Sequence, residues 1–85
     1  MKEFTYIITD PSGIHARPAG LLVKAAKKFE AGIFVEKDAK KADLKKIFTV
    51  MALGVMQGGT IKVTIDGFDE EAAAHEIEGF LKENL

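Results

Sequence analysis

Residues 60–66, Thr-Ile-Lys-Val-Thr-Ile-Asp, alternate apolar and polar side chains along their whole length. Successive side chains of a β-strand point to opposite faces of the sheet, so this alternation predicts a strand with Ile61, Val63 and Ile65 on its buried face. β-Branched and aromatic residues predict two further strands, at residues 4–9 and 33–36. A fourth strand, at residues 40–43, would return beside the strand at 33–36.

Three segments predict helices. Residues 17–28 have apolar side chains at helical spacing with lysines on the remaining surface, and Pro18 lies in the first turn, where its missing N–H costs nothing. Residues 47–53 predict a short helix that ends at Gly54. A last helix follows Asp69, which we expect to be its N-cap.

The turn between the second and third strands is Asp38-Ala39. Alanine is a poor residue where a tight hairpin requires glycine at positive φ, so we expect a looser or strained turn there. The complete order is β-α-β-β-α-β-α. Helices that are amphipathic on one side suggest an α+β fold whose sheet is covered on a single face, although the order of the strands is not revealed.

Composition bounds the class of protein. A chain of 85 residues, 47% hydrophobic and 29% charged, has the size and balance of one folded domain spanning residues 1–85. Cysteine is absent, which excludes disulfides and thiolate chemistry. The longest stretch without a charge or amide, residues 47–56, is shorter than the roughly 18 residues that span a bilayer. The first residues contain no apolar segment of the kind found in secretory signal peptides, so we expect a cytoplasmic protein without membrane contact.

Charge is distributed unevenly along the chain. Residues 15–46 carry a balance of +5 and residues 66–85 a balance of −6, within a net charge of −1. Two solvated faces would account for this. A basic surface that attracts an acidic partner or a phosphate would account for it as well. Nucleic acid is disfavoured, because Arg17 is the only arginine and the lysines are not interleaved with aromatic residues.

Residues 13–18, Gly-Ile-His-Ala-Arg-Pro, are the one group in the chain suited to chemistry. The preceding Asp-Pro-Ser-Gly predicts a type I turn that delivers His15 to the start of the first helix. A helix N-terminus attracts anions, Arg17 adds a fork suited to phosphate oxygens, and a neutral imidazole is a nucleophile. A histidine that merely caps a loop is the other interpretation. His75 is the only other histidine and we expect it to be solvated, so neither a metal site nor a cofactor is predicted.

Residues 12–19, Ser-Gly-Ile-His-Ala-Arg-Pro-Ala, resemble the active-centre signature of HPr, the histidine-containing phosphocarrier family of the bacterial sugar phosphotransferase system. The similarity extends over essentially the whole chain. It continues at Leu44-Lys45, at Val50-Met51 with Leu53-Gly54, at Gly67 and at Asp69-Glu70. The resemblance implies an open-faced β-sandwich, in which a four-stranded antiparallel sheet carries three helices on one face in the order βαββαβα.

The resemblance also implies a mechanism. His15 would accept a phosphoryl group from enzyme I and pass it to the A domain of a sugar-specific enzyme II (enzyme IIA). The phosphate would lie on Nδ1 of His15, held by Arg17, by the backbone N–H groups around Ala16 and Arg17, and by Ser12. We expect the carrier to be monomeric.

Ile47, Phe48 and Met51 cannot all face inward at their spacing. Ile47 or Met51 alone would pass as core, but together the three residues favour an exposed apolar patch of the kind that marks an interface. By the resemblance, the residues that dock partner proteins are Gly20, Lys24, Lys27, Lys45, Ile47, Phe48, Met51 and Gly54.

Two positions depart from the family pattern. Many relatives have Asn-Gly or Asp-Gly where this chain has Asp38-Ala39. Relatives in many Gram-positive bacteria carry a regulatory serine at the position of Lys46, which a dedicated kinase phosphorylates, and lysine cannot take that modification. Two other functions remain open at this point, namely a nitrogen-type regulatory phosphorelay that uses the same histidine, and a small module that binds RNA or a metabolite.

Overall fold

Strands and helices alternate in the predicted order, and a computed structural model describes all 85 residues. The elements are β1 (Lys2–Ile7), α1 (Ala16–Ala26), β2 (Gly32–Lys37), β3 (Lys40–Asp43), α2 (Ile47–Ala52), β4 (Thr60–Asp66) and α3 (Glu70–Asn84). The first strand lies two residues earlier than predicted. It ends at Ile7 because the N–H groups of Thr9 and Asp10 donate to the main-chain oxygen of Leu85 rather than to a neighbouring strand.

β4 lies between β1 and β2 in a four-stranded antiparallel sheet of order β1-β4-β2-β3. Val63 is paired with Phe4 on one side and with Val35 on the other. Ile61, Val63 and Ile65 are all buried, as the alternation of residues 60–66 predicted. The last strand in the chain is therefore a central strand of the sheet.

The three helices cover one face of the sheet. α1 packs against both α2 and α3, α3 packs against β1 and β4, and α2 packs against β3. On the covered face the Tyr6 hydroxyl donates to the Leu81 carbonyl oxygen at 2.9 Å, which ties α3 to β1. The predicted α+β fold, an open-faced β-sandwich of order βαββαβα, is confirmed. None of the helices combines the length and the apolar character needed to cross a membrane.

The turn between β2 and β3 is tight rather than loose. Lys37 pairs directly with Lys40, which leaves Asp38 and Ala39 as a two-residue loop. The positive φ that such a loop demands falls on Asp38, at 56°, and not on Ala39. The expectation of a looser turn is therefore wrong, and the strained backbone lies at Asp38, which tolerates this conformation better than alanine does.

Asp69 directly precedes α3, but its side chain does not cap that helix as predicted. Its carboxylate oxygens instead accept hydrogen bonds from the backbone N–H groups of Glu30 and Ala31, at 2.8 and 2.9 Å. Burial would raise the pKa of Asp69, but these hydrogen bonds outweigh burial, and the pKa lies below its ordinary value. Glu70 reaches back and accepts the Gly67 N–H at 3.1 Å. Asp69 therefore joins two loops at one end of the sheet.

Candidate functional site

The loop before α1 is a tight turn built around Asp10. Its carbonyl oxygen accepts the Gly13 N–H at 2.9 Å, and its carboxylate Oδ1 accepts the Ser12 N–H at 2.8 Å. Pro11 and Ser12 have negative φ, as the predicted type I turn requires. The Asp10 N–H donates to the main-chain oxygen of Leu85 at 2.9 Å, which anchors the turn to the residue that follows α3.

Gly13 brings this turn into contact with the loop between α2 and β4. Its φ is +67°, and a side chain there would overlap the carbonyl oxygen of Val55 and lie 2.8 Å from the Cα of Met56. The next residue, Ile14, is buried and donates its N–H to the same Val55 oxygen at 3.0 Å. Glycine is needed for both the backbone conformation and the close approach, so these contacts fix the position of His15.

His15 is the N-cap residue of α1. Its backbone is extended, with φ −109° and ψ 174°, and its carbonyl oxygen accepts the Ala19 N–H at 2.9 Å. Its imidazole caps nothing and is 43% exposed. The side chain of His15 therefore makes no capping hydrogen bond, and it is partly exposed to solvent.

The N-terminal end of α1 is suited to an anion. The backbone N–H groups of Ala16 and Arg17 have no acceptor within the helix, because the residues four positions earlier lie in the turn. The first turn contains no acidic residue that would neutralise the positive end of the helix dipole. Phosphate is the kind of ligand that such a helix end binds.

A surface depression of about 200 Å³ brings the side chains of His15 and Arg17 together. Its other lining residues are Asp10, Pro18, Leu21 and Asn84. Ser12 and Ala16, both predicted to hold phosphate, are exposed in the turn and in the first turn of α1, but they do not line this depression.

Three residues of the depression were not predicted from the sequence as site residues, namely Asp10, Leu21 and Asn84. Asp10 was interpreted only as a turn residue, yet its Oδ2 lies 3.6 Å from Nε2 of His15. Asn84 comes from the last turn of α3, where its amide donates to the Phe80 carbonyl oxygen at 3.1 Å. Position 10 could have been noticed as an acid close to His15 in the chain, whereas no local signal indicated Asn84.

The predicted apolar patch lies on α2, which packs against α1. Phe48 is 86% exposed and Met51 is 37% exposed, whereas Ile47 is partly buried. A side chain at Gly20 would lie 3.7 Å from Cδ1 of Ile47, so the two helices meet at this point. The prediction that these apolar residues cannot all face the core is confirmed.

The remaining predicted docking residues differ in their surroundings. Lys24 is exposed on α1, Lys27 is exposed directly after its last residue, and Gly54 is exposed with a φ of 62°. The ammonium group of Lys45 instead donates to the Phe29 carbonyl oxygen at 2.7 Å, close to the end of α1. Lys45 therefore has a structural contact of its own, and the docking role of all four residues stays a prediction.

His75 is exposed on α3, as expected. No group of three His, Cys, Asp or Glu side chains is arranged to hold a metal ion.

Comparison with known proteins places this site in a family. Residues 2–83 match the family model described as the PTS HPr component phosphorylation site. The histidine-containing phosphocarrier protein of Mycoplasma superposes with a TM-score of 0.94 at 38% identity, over 96% of this chain and 93% of that one. HPr-C-His of Thermoanaerobacter tengcongensis superposes with a TM-score of 0.93 at 44% identity, over 98% of this chain and 93% of that one. HPr of Bacillus anthracis superposes with a TM-score of 0.88 at 34% identity, over 94% of this chain and 95% of that one. This chain therefore belongs to the HPr family of phosphocarrier proteins of the bacterial phosphotransferase system.

Proposed function

We propose that this protein accepts a phosphoryl group on His15 from the phosphohistidine of enzyme I and passes it to the A domain of a sugar-specific enzyme II. One observation carries the proposal, namely an exposed imidazole at the N-terminal end of α1 in the same depression as Arg17. Membership of the HPr family supports the same assignment.

Phosphoryl transfer between two histidines needs positioned charge more than it needs new bonds to the protein. An electron pair of His15 forms the N–P bond, while the P–N bond of the donor breaks and returns its electron pair to the donor nitrogen. The phosphoryl oxygens remain negative throughout, so donors that are already in position stabilise them. Arg17, the N–H groups of Ala16 and Arg17, and the exposed Ser12 hydroxyl would supply these donors.

A carrier must also be recognised by two partners in turn. Phe48 and Met51 present apolar surface, and Lys24 and Lys27 present positive charge on the neighbouring helix. We call these four side chains the docking surface. Apolar contact combined with complementary charge favours a partner with an acidic rim, and enzyme I and enzyme IIA would use this surface one after the other.

We further propose that the carrier is a cytoplasmic monomer. The edge strand β3 carries Lys40 and Lys41, both exposed, and lysine on an edge disfavours pairing with the sheet of another chain. A dimer of HPr from T. tengcongensis is among the solved relatives, at 44% identity. Light scattering during size-exclusion chromatography tests the monomer directly, and a mass of two chains would contradict it.

Labelling of histidine variants tests the phosphocarrier function. With enzyme I and phosphoenolpyruvate, the wild-type chain should gain one phosphate that is labile in acid and stable in base. His15→Ala should abolish labelling with the fold intact, and His75→Ala, which removes the other exposed histidine, should leave labelling unchanged. Normal labelling of His15→Ala would end the proposal. Discharge by a sugar-specific enzyme IIA, rather than by a nitrogen-type homologue, would identify the pathway.

A further inference from the structure

The carboxylate of Asp10 has one oxygen engaged and one directed at the reactive histidine. Oδ1 accepts the Ser12 N–H at 2.8 Å, which sets the orientation of the carboxylate. Oδ2 lies 3.6 Å from Nε2 of His15. This separation is longer than a hydrogen bond, and a small rotation of the imidazole would close it, as often happens when a substrate complex forms.

The position of Asp10 is fixed by its backbone as well. Its N–H donates to Leu85 at 2.9 Å, and its carbonyl oxygen accepts the Gly13 N–H at 2.9 Å. The side chain of Asp10 is only 26% exposed, and Arg17 is the one other charged residue that lines the depression. The carboxylate is therefore a preorganised acceptor next to one of the two ring nitrogens.

We propose that Asp10 is a positioning residue for phosphoryl transfer, because its carboxylate keeps the proton of His15 on Nε2 and leaves the electron pair on Nδ1. This inference rests on the proposed function. A neutral imidazole has one protonated nitrogen and one with a free pair, and the partner of each nitrogen decides which is which. An ionised carboxylate can only accept, so it stabilises the tautomer whose proton faces it.

The same contact stabilises the product of the step. When Nδ1 forms the N–P bond, the ring becomes cationic and retains its Nε2 proton, so no proton has to leave. The electron pair of the broken P–N bond returns to the donor histidine, which becomes neutral. The negative charge of Asp10 then lies next to a positive ring, while Arg17 in the same depression is available to the phosphoryl oxygens.

Asp10→Asn separates the two roles of the carboxylate. The amide oxygen can still accept the Ser12 N–H and retain the turn, but the amide nitrogen then faces His15 and donates to Nε2. We therefore expect the proton of His15 to move to Nδ1. Asp10→Ala removes both contacts and should weaken the preference. Asp38→Asn is the matched control, since it makes the same chemical change in the β2–β3 turn, where asparagine also tolerates a positive φ.

Long-range proton–nitrogen correlation spectra of nitrogen-15-labelled protein report the tautomer directly. At about pH 8.5, well above the ordinary histidine pKa, wild type and Asp38→Asn should carry the proton on Nε2 and Asp10→Asn on Nδ1. Asp10→Ala should show a mixture. The amide spectra of the same samples check that each variant is folded. An identical tautomer in all four proteins would overturn the proposal.

Transfer kinetics provide the second readout. With the carrier as substrate of enzyme I, Asp10→Asn should lower kcat by at least about tenfold, because the wrong tautomer presents a proton to the phosphoryl group. Its KM should be unchanged, since Asp10 lies outside the docking surface. A wild-type kcat in Asp10→Asn would contradict the role of Asp10. Failure of enzyme I to label the wild type would instead contradict the proposed function and leave the tautomer result intact.

Discussion

His15 and Arg17 are two positions apart, a spacing at which side chains within one helix do not face each other. They line one depression because His15 is extended and lies outside α1, whereas Arg17 is already in its first turn. The change of backbone conformation between the two residues therefore brings a nucleophile and a permanent cation together.

Replacing Arg17 with alanine should slow phosphoryl transfer. A charge-assisted hydrogen bond contributes about 1.5–3 kcal/mol, which corresponds to roughly a 10- to 150-fold loss in rate. Arg17→Lys keeps the charge but not the planar fork, so it should give an intermediate rate. Rapid-quench measurement of transfer from phosphorylated enzyme I checks both variants. If the alanine variant reacts at the wild-type rate, Arg17 has no part in holding the phosphate.

At the scale of single elements, α2 is the least buried of the three helices. It has six residues, of which only Val50 is buried. A helix this short is not stable by propensity and depends on its tertiary contacts. Its exposed residues are therefore available for a partner.

Phe48→Ala should weaken binding of enzyme I by about 1–2 kcal/mol, the range typical of an aromatic anchor at an interface. Because Phe48 is 86% exposed, the free energy of unfolding should change by no more than about 0.5 kcal/mol. A buried phenylalanine would cost about 3–5 kcal/mol instead. Phe68→Ala is the control, since Phe68 is 88% exposed in the loop between β4 and α3 and is not part of the docking surface. Titration calorimetry and urea denaturation measure the two quantities, and equal loss of binding in both variants would contradict a specific patch.

The residues at the start of α2 indicate that an HPr kinase should not phosphorylate this protein. Ser12 is the only serine in the chain, and the regulatory position is Lys46, the N-cap residue of α2. Thr49 is the nearest hydroxyl, but it is hydrogen-bonded to the carbonyl oxygens of Lys46 and Asp43 at 2.7 and 2.8 Å. Treatment with the kinase and ATP should leave the wild type free of acid-stable phosphate. Mass spectrometry should find such phosphate only in Lys46→Ser, and stoichiometric phosphate on Thr49 or Ser12 would refute this.

At the scale of the whole molecule, the sheet has two chemically different ends. The C-terminal end of β1 leads to the turn that carries His15, whereas its N-terminal end pairs with the end of β4 near Asp69. Asp69 closes that second end by bonding the loop between α1 and β2. The stability contributed by Asp69 is therefore separate from the phosphate site.

Asp69→Asn should destabilise the fold at neutral pH without changing phosphoryl transfer. The pKa of Asp69 is lower in the folded state, so its contribution is fully present above the unfolded pKa of about 4 and is lost as pH falls through the folded pKa. The difference in unfolding free energy between wild type and variant should therefore shrink below about pH 4. Glu70 also has a lowered pKa, because of its hydrogen bonds to the terminal amino group and to the Gly67 N–H, and it is present in both proteins. Urea denaturation between about pH 3 and 7 checks this, with the exposed Asp66→Asn as control. A difference that does not vary with pH would contradict it.

The sequence alone determined the type and order of the elements, the buried face of β4, the turn before α1 and the pairing of His15 with Arg17. These features depend on side-chain periodicity and on the backbone chemistry of neighbouring residues, which are local. Tertiary structure decided the central place of β4, the tie between Lys45 and Phe29, and the partners of Asp69. It also decided that Asp10 lies close to Nε2 of His15 and that Asn84 lines the same depression. Each of these depends on where the folded chain brings an acceptor, a donor or a ring, and local spacing does not specify such a partner.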